Sequence, residues 1–393
     1  MKKNQNNISG NIWKYFWFNL SQRRHFMPIL SIFFLSLPNT NAQQIGLYVG
    51  LGFLASFLFE IPSGYFSDRY GHKNTLVLSK ILMITSMTLF ITASSLLFFI
   101  LGSIFLSLSQ AFSSGTDKAF MHDTLLQLKK EDDFTKIMSK IGANVSLLSL
   151  FFIILLPFTT SISITFPLKI NLIFDVLGLF ACILLVNPKR EKEIEKKDSK
   201  SIFKIIKEGV NPGFFALSLF TGAAGGFLIA TNGYRQVYLV ALGLPIIYLG
   251  FILGLSRLVW FFVGHYAHTL EKNVGIKNLL KIEILLFPLF LILAAIFSNP
   301  YIVGIIIILP MGYYWGRIQI TEGYTLKHLI KKREYKATIL SVKNQVSLII
   351  RALTAFLIGY VMIISYKIGY VTMGIVLFFI LLVSYLLLNK HLK

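Results

Sequence analysis

Nine ionisable side chains stand inside long apolar stretches of this chain: Glu60, Asp117, Lys118 and Asp175 in its first half, and Arg257, Arg317, Glu322, Lys343 and Arg351 in its second. An ionised residue at the centre of a bilayer costs about 2.5–3.5 kcal/mol even on a lenient insertion scale, so each needs a partner or a task. Two tasks suit these residue types. A carboxylate held in a poorly solvated place can take up a proton. An arginine presents a planar fork that donates two parallel hydrogen bonds to a carboxylate or phosphate. Asp117 is spaced 3, 4 and 7 residues from Ser114, Ser113 and Gln110, which predicts a polar stripe on one face of an apolar helix, lined by water or solute. The competing reading is a buried structural pair of Asp117 with Lys118 or Arg317. The second half sets four cations against one acid within its spans, and the first half three acids against one cation. That polarity predicts that Arg257, Arg317 and Arg351 bind an anionic or zwitterionic group while Asp117 or Glu60 accepts a proton. Glu60 lies close to the end of its span. Asp175, with Asn171 one turn away, reads as a packing residue.

The elements that must carry these side chains follow from hydropathy. Of the 393 residues 55% are hydrophobic and 14% charged, which excludes a soluble enzyme and a disordered chain. A bilayer core of about 30 Å needs roughly 20 apolar residues as a helix, and backbone amides in lipid have no other general solution. Polar punctuation divides the apolar runs into spans near 24–40, 45–66, 75–92, 96–122, 137–157 and 164–186, then 212–236, 245–266, 279–297, 300–326, 337–362 and 367–388. The fold class is therefore an all-α integral membrane protein of twelve transmembrane helices. Residues 11–22, with Trp13, Tyr15, Phe16 and Trp17, read as an interfacial anchor ahead of the first span. No histidine falls in the middle of a span on this reading, and Cys182 has no partner cysteine, so no disulfide and no metal set is expected.

The net charge of +21 is an address more than a nucleic-acid site. Of the 38 Lys and Arg, 30 fall on the terminal segments and alternate loops, three on the opposite face and five in spans, which puts both termini in the cytoplasm of a cell whose inner membrane the chain crosses. The longest polar stretch follows the sixth span. It divides the chain into an N-terminal segment 1–23, a six-helix bundle 24–186, a linker 187–211, a second six-helix bundle 212–388 and a tail 389–393. The halves repeat. Tyr48-Val49-Gly50 matches Tyr248-Leu249-Gly250 and Gly64 matches Gly264 at an offset of 200, while Gly115 matches Gly316, Thr124-Leu125 matches Thr325-Leu326 and Val145-Ser146-Leu147-Leu148 matches Val346-Ser347-Leu348-Ile349 at 201. Duplicated helical halves around a midplane site are an architecture of secondary transporters.

After the second span comes Gly64-Tyr65-Phe66-Ser67-Asp68-Arg69-Tyr70-Gly71-His72-Lys73. Here Gly64 would let two helices approach closely, Gly71 would permit a tight turn, and Asp68 could meet a helix N-terminus or a cation. The segment resembles the Gly-x-x-x-Asp-Arg-x-Gly-Arg-Lys loop of the major facilitator superfamily, its drug-efflux branch in particular, and the resemblance extends to helix count, linker and duplication. It implies a two-bundle fold working by alternating access. It further implies that Asp68 caps the start of the eleventh helix near Tyr335–Thr338, that basic residues among Arg69 and Lys73 pair with the acid Asp123, and that the set latches one side closed. His72 departs from the family's Arg. The fourth-helix Arg pattern and the fifth-helix Gly-x-x-x-Gly-Pro pattern of the antiporters are absent.

The functional expectation is a secondary transporter, not an enzyme: a small organic solute is exported as an amphipathic compound at the expense of a proton gradient, without cofactor. The alternative is uptake of an anionic or zwitterionic solute by proton symport, and a membrane-embedded enzyme is a remote third. Partners are the solute and the lipid bilayer, with no nucleic acid, and the chain is expected to act as a monomer.

Overall fold

A computed structural model describes residues 2–188, 209–331 and 336–391. Among them the helices are α1 (Lys2–Ser21), α2 (Met27–Leu35), α3 (Ala42–Tyr70), α4 (His72–Ile91), α5 (Leu96–Ser113), α6 (Thr116–Gln127), α7 (Phe134–Leu155), α8 (Phe166–Ile183), α9 (Gly213–Ala230), α10 (Arg235–Ala241), α11 (Leu249–His265), α12 (Ala267–Ile296), α13 (Pro300–Tyr324), α14 (Lys336–Met362) and α15 (Tyr366–Asn389). Eleven helical stretches of the described residues are long and apolar enough to cross a membrane. The remaining span of the twelve-helix plan is α1 with α2, broken between them over residues 22–26.

The segment ahead of Arg24, expected as an interfacial anchor, is packed into the first unit. Asn11, Tyr15, Phe18 and Leu20 are fully or almost fully buried. Helix α1 runs along α8: Asn11 exchanges hydrogen bonds with the backbone of Val186 at 2.8 and 2.9 Å, and Lys14 Nζ donates to Leu184 O at 2.6 Å, so two side chains satisfy the end of α8. One aromatic, Trp13, does project outward, 62% exposed. Further along, Gly178 faces Ser21 so closely that a Cβ would overlap its side chain, and the backbone N–H of His25 donates to Asn171 Oδ1 at 3.3 Å. Residues 21–25 are thus level with the middle of α8, and Arg23, Arg24 and His25 sit halfway along a span. His25 packs its ring between Phe152 and Phe174, with centroids 5.4 and 5.9 Å away.

The described residues form two compact units. The first holds the chain up to Thr40 and resumes at Leu54, the lower part of α3, through α8. Its packing is aromatic and small-residue in alternation. Gly102 of α5 lets Phe90 of α4 lie against it, Ser86 Oγ donates to Gly102 O at 2.6 Å, and Phe99 meets Phe34 edge-on at 4.8 Å and Phe90 at a tilt at 5.3 Å between ring centroids. A second cluster joins Tyr15, Phe18, Leu76, Phe120, Met121, Leu125, Val145 and Cys182. Helix α5 ends at Ser114, and Gly115 at φ +75° turns the chain before α6 begins, so the continuous span expected near 96–122 is two helices.

The second unit contains residues 41–53 and the described chain from Gly209 onward. Helix α13 carries Gly304, Gly312 and Gly316 on the face turned to α11, where Ile252, Val259 and Val263 fill the space a side chain would occupy. Gly222 and Gly226 of α9 do the same for Ile350 of α14. Residues 41–53 lie on α14 through Gly46 against Ala355 O and Gly50 against Phe356. Duplication is visible in backbone conformation as well: Gly71 precedes α4 at φ +94°, and Gly275 breaks α12 at φ +73° at the corresponding turn. Gly115 and Gly316, matched by offset, have diverged into a helix break and a packing glycine.

Gly64 behaves otherwise than expected, because a Cβ there would meet open space within its surroundings. Among the described residues it makes no close helix approach. Gly64→Ala is therefore expected to leave thermal unfolding of the detergent-purified protein unchanged or raise its midpoint, by up to about 1 kcal/mol of stability. Gly316→Val, whose Cβ would come 2.6 Å from Val263, is expected to lower it by roughly 1–3 kcal/mol.

Candidate functional site

The charges within the spans sort by whether the protein neutralises them. In the first unit Lys80 Nζ lies 2.6 Å from Asp175 Oδ1, both side chains fully buried. Lys80 also donates to Ser21 O at 3.2 Å, and Asn171 Nδ2 donates to Asp175 Oδ2 at 3.0 Å, so both carboxylate oxygens are occupied. In the second unit Arg317 Nη2 lies 2.9 Å from Glu283 Oε2, again at zero exposure, with Tyr313 Oη donating to Glu283 Oε1 at 2.9 Å. The Arg317 guanidinium is covered by the rings of Phe287 and Tyr314 at 5.8 and 5.2 Å. Each pair ties two or three helices of its own unit. Lys80 and Glu283 do not stand out in the sequence, since each lies near the edge of an apolar run where a charge needs no partner; two unexplained charges on other spans, Asp175 and Arg317, are the signal that points to them.

With Lys80, Arg23 and Arg24 inside its spans beside Lys118, the first unit carries four cations against three acids, and the expected contrast between an acidic first half and a basic second half disappears. Arg317 is not free to bind a solute anion. Arg257 lies exposed on α11 with its guanidinium over Trp260 at 5.2 Å. Arg351, partly buried on α14, stands 6.0 Å from the Phe53 ring. Glu322 is exposed, Glu60 half-buried, and Lys343 Nζ donates to Thr325 Oγ1 at 3.4 Å.

Asp117 is placed differently from the expected stripe. The break at Ser114–Gly115 separates it from the α5 face, where Gln110 and Ser113 bond their own helix, Gln110 Nε2 to Leu106 O at 3.1 Å and Ser113 Oγ to Gln110 O at 3.1 Å. Asp117 stands instead in the first turn of α6, where a carboxylate suits the exposed N–H groups. Its Oδ1 accepts the Lys118 N–H at 2.7 Å, and its Oδ2 accepts Tyr15 Oη from α1 at 3.1 Å. Among the described residues no basic side chain comes within ion-pair distance of it. A row of donors continues up α1: Asn19 Nδ2 to Tyr15 Oη at 3.5 Å and Arg23 Nη2 to Asn19 Oδ1 at 3.4 Å.

At the loop motif His72, the residue that departs from the family pattern, is the one that meets the acid. His72 Nε2 is 3.5 Å from Asp123 Oδ2, and His72 Nδ1 shares a 2.8 Å hydrogen bond with Ser67 Oγ. Asp68 and Arg69 are exposed, Arg69 Nη1 reaching Tyr65 Oη at 3.3 Å and stacking over Tyr70 at 5.6 Å, and Lys73 is partly exposed. Gly71 supplies the tight turn as expected. The helix start that Asp68 was assigned to cap, Tyr335–Thr338, lies outside the residues whose side chains are described, as does most of the 187–211 linker.

Residues 15–342 match the Major Facilitator Superfamily family model. An uncharacterised MFS-type transporter of Bacillus subtilis, YxaM, is 30% identical over 241 residues, which is 59% of this chain and 58% of that protein. An uncharacterised transporter of Buchnera aphidicola is 24% identical over 260 residues, 65% of this chain and 64% of that protein. The chain thus covers about three fifths of the length of these relatives. The fold is that of the nucleoside transporter NupG, with a TM-score of 0.73 at 13% identity over 99% of both chains. It is also that of a D-xylose-proton symporter, at 0.66 and 13%, over 98% of this chain and 96% of the other.

Breaking either buried pair leaves a bare charge in an apolar bundle. Lys80→Ala, Asp175→Ala, Arg317→Ala and Glu283→Ala are each expected to destabilise the purified protein by roughly 3–5 kcal/mol, read as loss of thermal midpoint. Joint replacement by apolar residues of similar size (Lys80→Met with Asp175→Leu) is expected to recover most of that loss.

Proposed function

This chain belongs to the Major Facilitator Superfamily of membrane transporters, and from that premise we propose that it moves a small organic solute by alternating access, driven by protons that bind at Asp117. The observation that carries the coupling proposal is the isolation of Asp117. Asp175 and Glu283 each hold a buried cation, whereas Asp117 is held by one hydroxyl and one backbone N–H. A carboxylate so placed can be neutralised by a proton without breaking an ion pair, which is the property a coupling site needs. The His72–Asp123 contact, with Ser67 behind the imidazole, is proposed as the latch of the loop motif, acting as an ion pair only while the imidazole carries its second proton.

Two directions fit this machinery. Export of an amphipathic compound in exchange for protons is the first. Uptake of an anionic or zwitterionic solute together with protons is the second, and the basic pair Arg23 and Arg24 halfway along the first span favours it. The excess of Lys and Arg on the termini and alternate loops supports an inner-membrane protein with both termini cytoplasmic, and the proposed unit of function is a monomer without a cofactor.

Reconstituted vesicles with an imposed pH gradient test the proposal. Solute flux is expected to follow the gradient in wild type and to lose that dependence in Asp117→Asn. Tyr15→Phe removes one hydrogen bond to a charged acceptor, worth about 1.5–3 kcal/mol, and is expected to lower the flux while keeping its dependence on the gradient. Flux in Asp117→Asn that still follows the pH gradient contradicts the assignment. The sign of the flux relative to the proton gradient separates export from uptake.

A further inference from the structure

We propose that Arg23 and Arg24 form an anion-binding site in the first unit, taking a carboxylate or phosphate group of the solute, and that the chain Arg23–Asn19–Tyr15–Asp117 couples its occupancy to a proton on Asp117. This rests on the transporter reading above and narrows it, selecting an anionic solute that travels with a proton.

The location comes first. The two arginines occupy the break between α1 and α2, flanked by Ser21, whose carbonyl accepts Lys80 Nζ, and His25, whose N–H reaches Asn171. Both contacts place them at the depth of the buried Lys80–Asp175 pair, the middle of α4 and α8. At such a depth a pair of adjacent like charges is costly and needs compensation. Among the described residues, neither guanidinium is within ion-pair distance of an acid. Asp175 interacts electrostatically with Arg24, but its oxygens are taken by Lys80 and Asn171. Arg23 has one long hydrogen bond, to Asn19, and its Nε is buried with no acceptor. A buried donor without a partner is unfavourable and is relieved by a ligand acceptor. Both residues are only partly buried. The matched positions of the second unit, Ala223 and Ala224 at an offset of 200, are small and apolar, so the basic pair is not a packing requirement of the repeat. What the fold leaves uncompensated here is positive charge with two planar forks, and a carboxylate or phosphate supplies the missing acceptor atoms.

The link to the proton lies in the direction of the hydrogen bonds. Arg23 donates to the Asn19 carbonyl, the Asn19 amide donates to the Tyr15 oxygen, and the Tyr15 hydroxyl donates to Asp117, so every donor points toward one carboxylate. With Asp117 ionised, the chain is polarised toward it and holds Arg23 against Asn19. A proton from bulk water on Asp117 removes the terminal charge and lets Arg23 turn to an incoming anion. Linkage makes this reciprocal: an anion on Arg23 favours the proton on Asp117. The other charged groups acting on this chain are Lys118, next to Asp117, and Arg24 with Asp175 on the far side of Arg23.

The test uses the detergent-purified full chain and four probes that share one ring: benzoate and phenyl phosphate, with benzamide and benzylamine as the uncharged and cationic counterparts, at constant ionic strength. Benzoate or phenyl phosphate is expected to raise the thermal midpoint in wild type and in Lys169→Gln, an exposed control, while benzamide and benzylamine do not. Arg23→Gln and Arg24→Gln are expected to weaken the response about tenfold or more. Arg23→Lys and Arg24→Lys keep the charge and are expected to weaken it to a lesser degree. In unbuffered solution, anion binding is expected to take up protons in wild type and not in Asp117→Asn. The proposal is overturned if the arginine variants respond as wild type does, if benzamide matches benzoate, or if no anion shifts the midpoint at tens of millimolar. Vesicle flux keeps the two readings apart. Gradient-driven flux of benzylamine without anion binding discards the anion site and leaves the transporter standing. Anion binding with no flux of any probe does the reverse.

Discussion

The structure turns on the cost of charge in an apolar helix bundle. That cost cannot be met by water within the spans, so it is met by other side chains or left as a potential to be filled. Lys80 with Asp175 and Arg317 with Glu283 meet it by pairing opposite charges. Each pair is closed off from solvent, each has its remaining acceptor atoms taken by Asn171 or Tyr313, and each fastens neighbouring helices of its own unit. Such pairs contribute little net stability relative to apolar residues, but they fix which helix faces which, because any slip strands a charge.

Seen this way, the helices around the pairs are free to pack by shape. Glycines on α9 and α13 admit Ile350, Val259 and Val263, and the left-handed glycines Gly71, Gly115 and Gly275 place the turns and breaks. The break at Gly115 matters most for the proposed function. It starts a new helix at Thr116, which sets Asp117 in a first turn and aims it at α1 in place of the polar face of α5.

Much of this could be read from the residues. Length of apolar run gave the spans, because lipid allows little other than helix, and nearly all of them lie within a few residues of the expected bounds. The repeat and the loop motif pointed to the family. What escaped has physical reasons. Run length fails where a span contains its own charges, so Arg23 and Arg24 pushed the apparent start of the first span past a helix that is buried along α8. Periodicity assumes a continuous helix, so the single glycine at 115 undid the stripe linking Asp117 to Gln110 and Ser113. Partners of buried charges are set by tertiary contact between residues far apart in the chain, Lys80 with Asp175 and Glu283 with Arg317, which no local pattern encodes. His72 looked like a weakened copy of an arginine, yet at 3.5 Å it is the member of the motif that reaches Asp123.

The central claim is that charges neutralised by the fold hold the bundles together, while Asp117, which has no ion pair among the described residues, is the proposed proton carrier. Infrared difference spectroscopy of the purified protein during a pH titration tests it directly. The account predicts that a protonated-carboxyl band grows in as pH falls, is lost in Asp117→Asn, and persists in Asp175→Asn and in Glu283→Gln. A band that survives Asp117→Asn and disappears in either of the other two would contradict it.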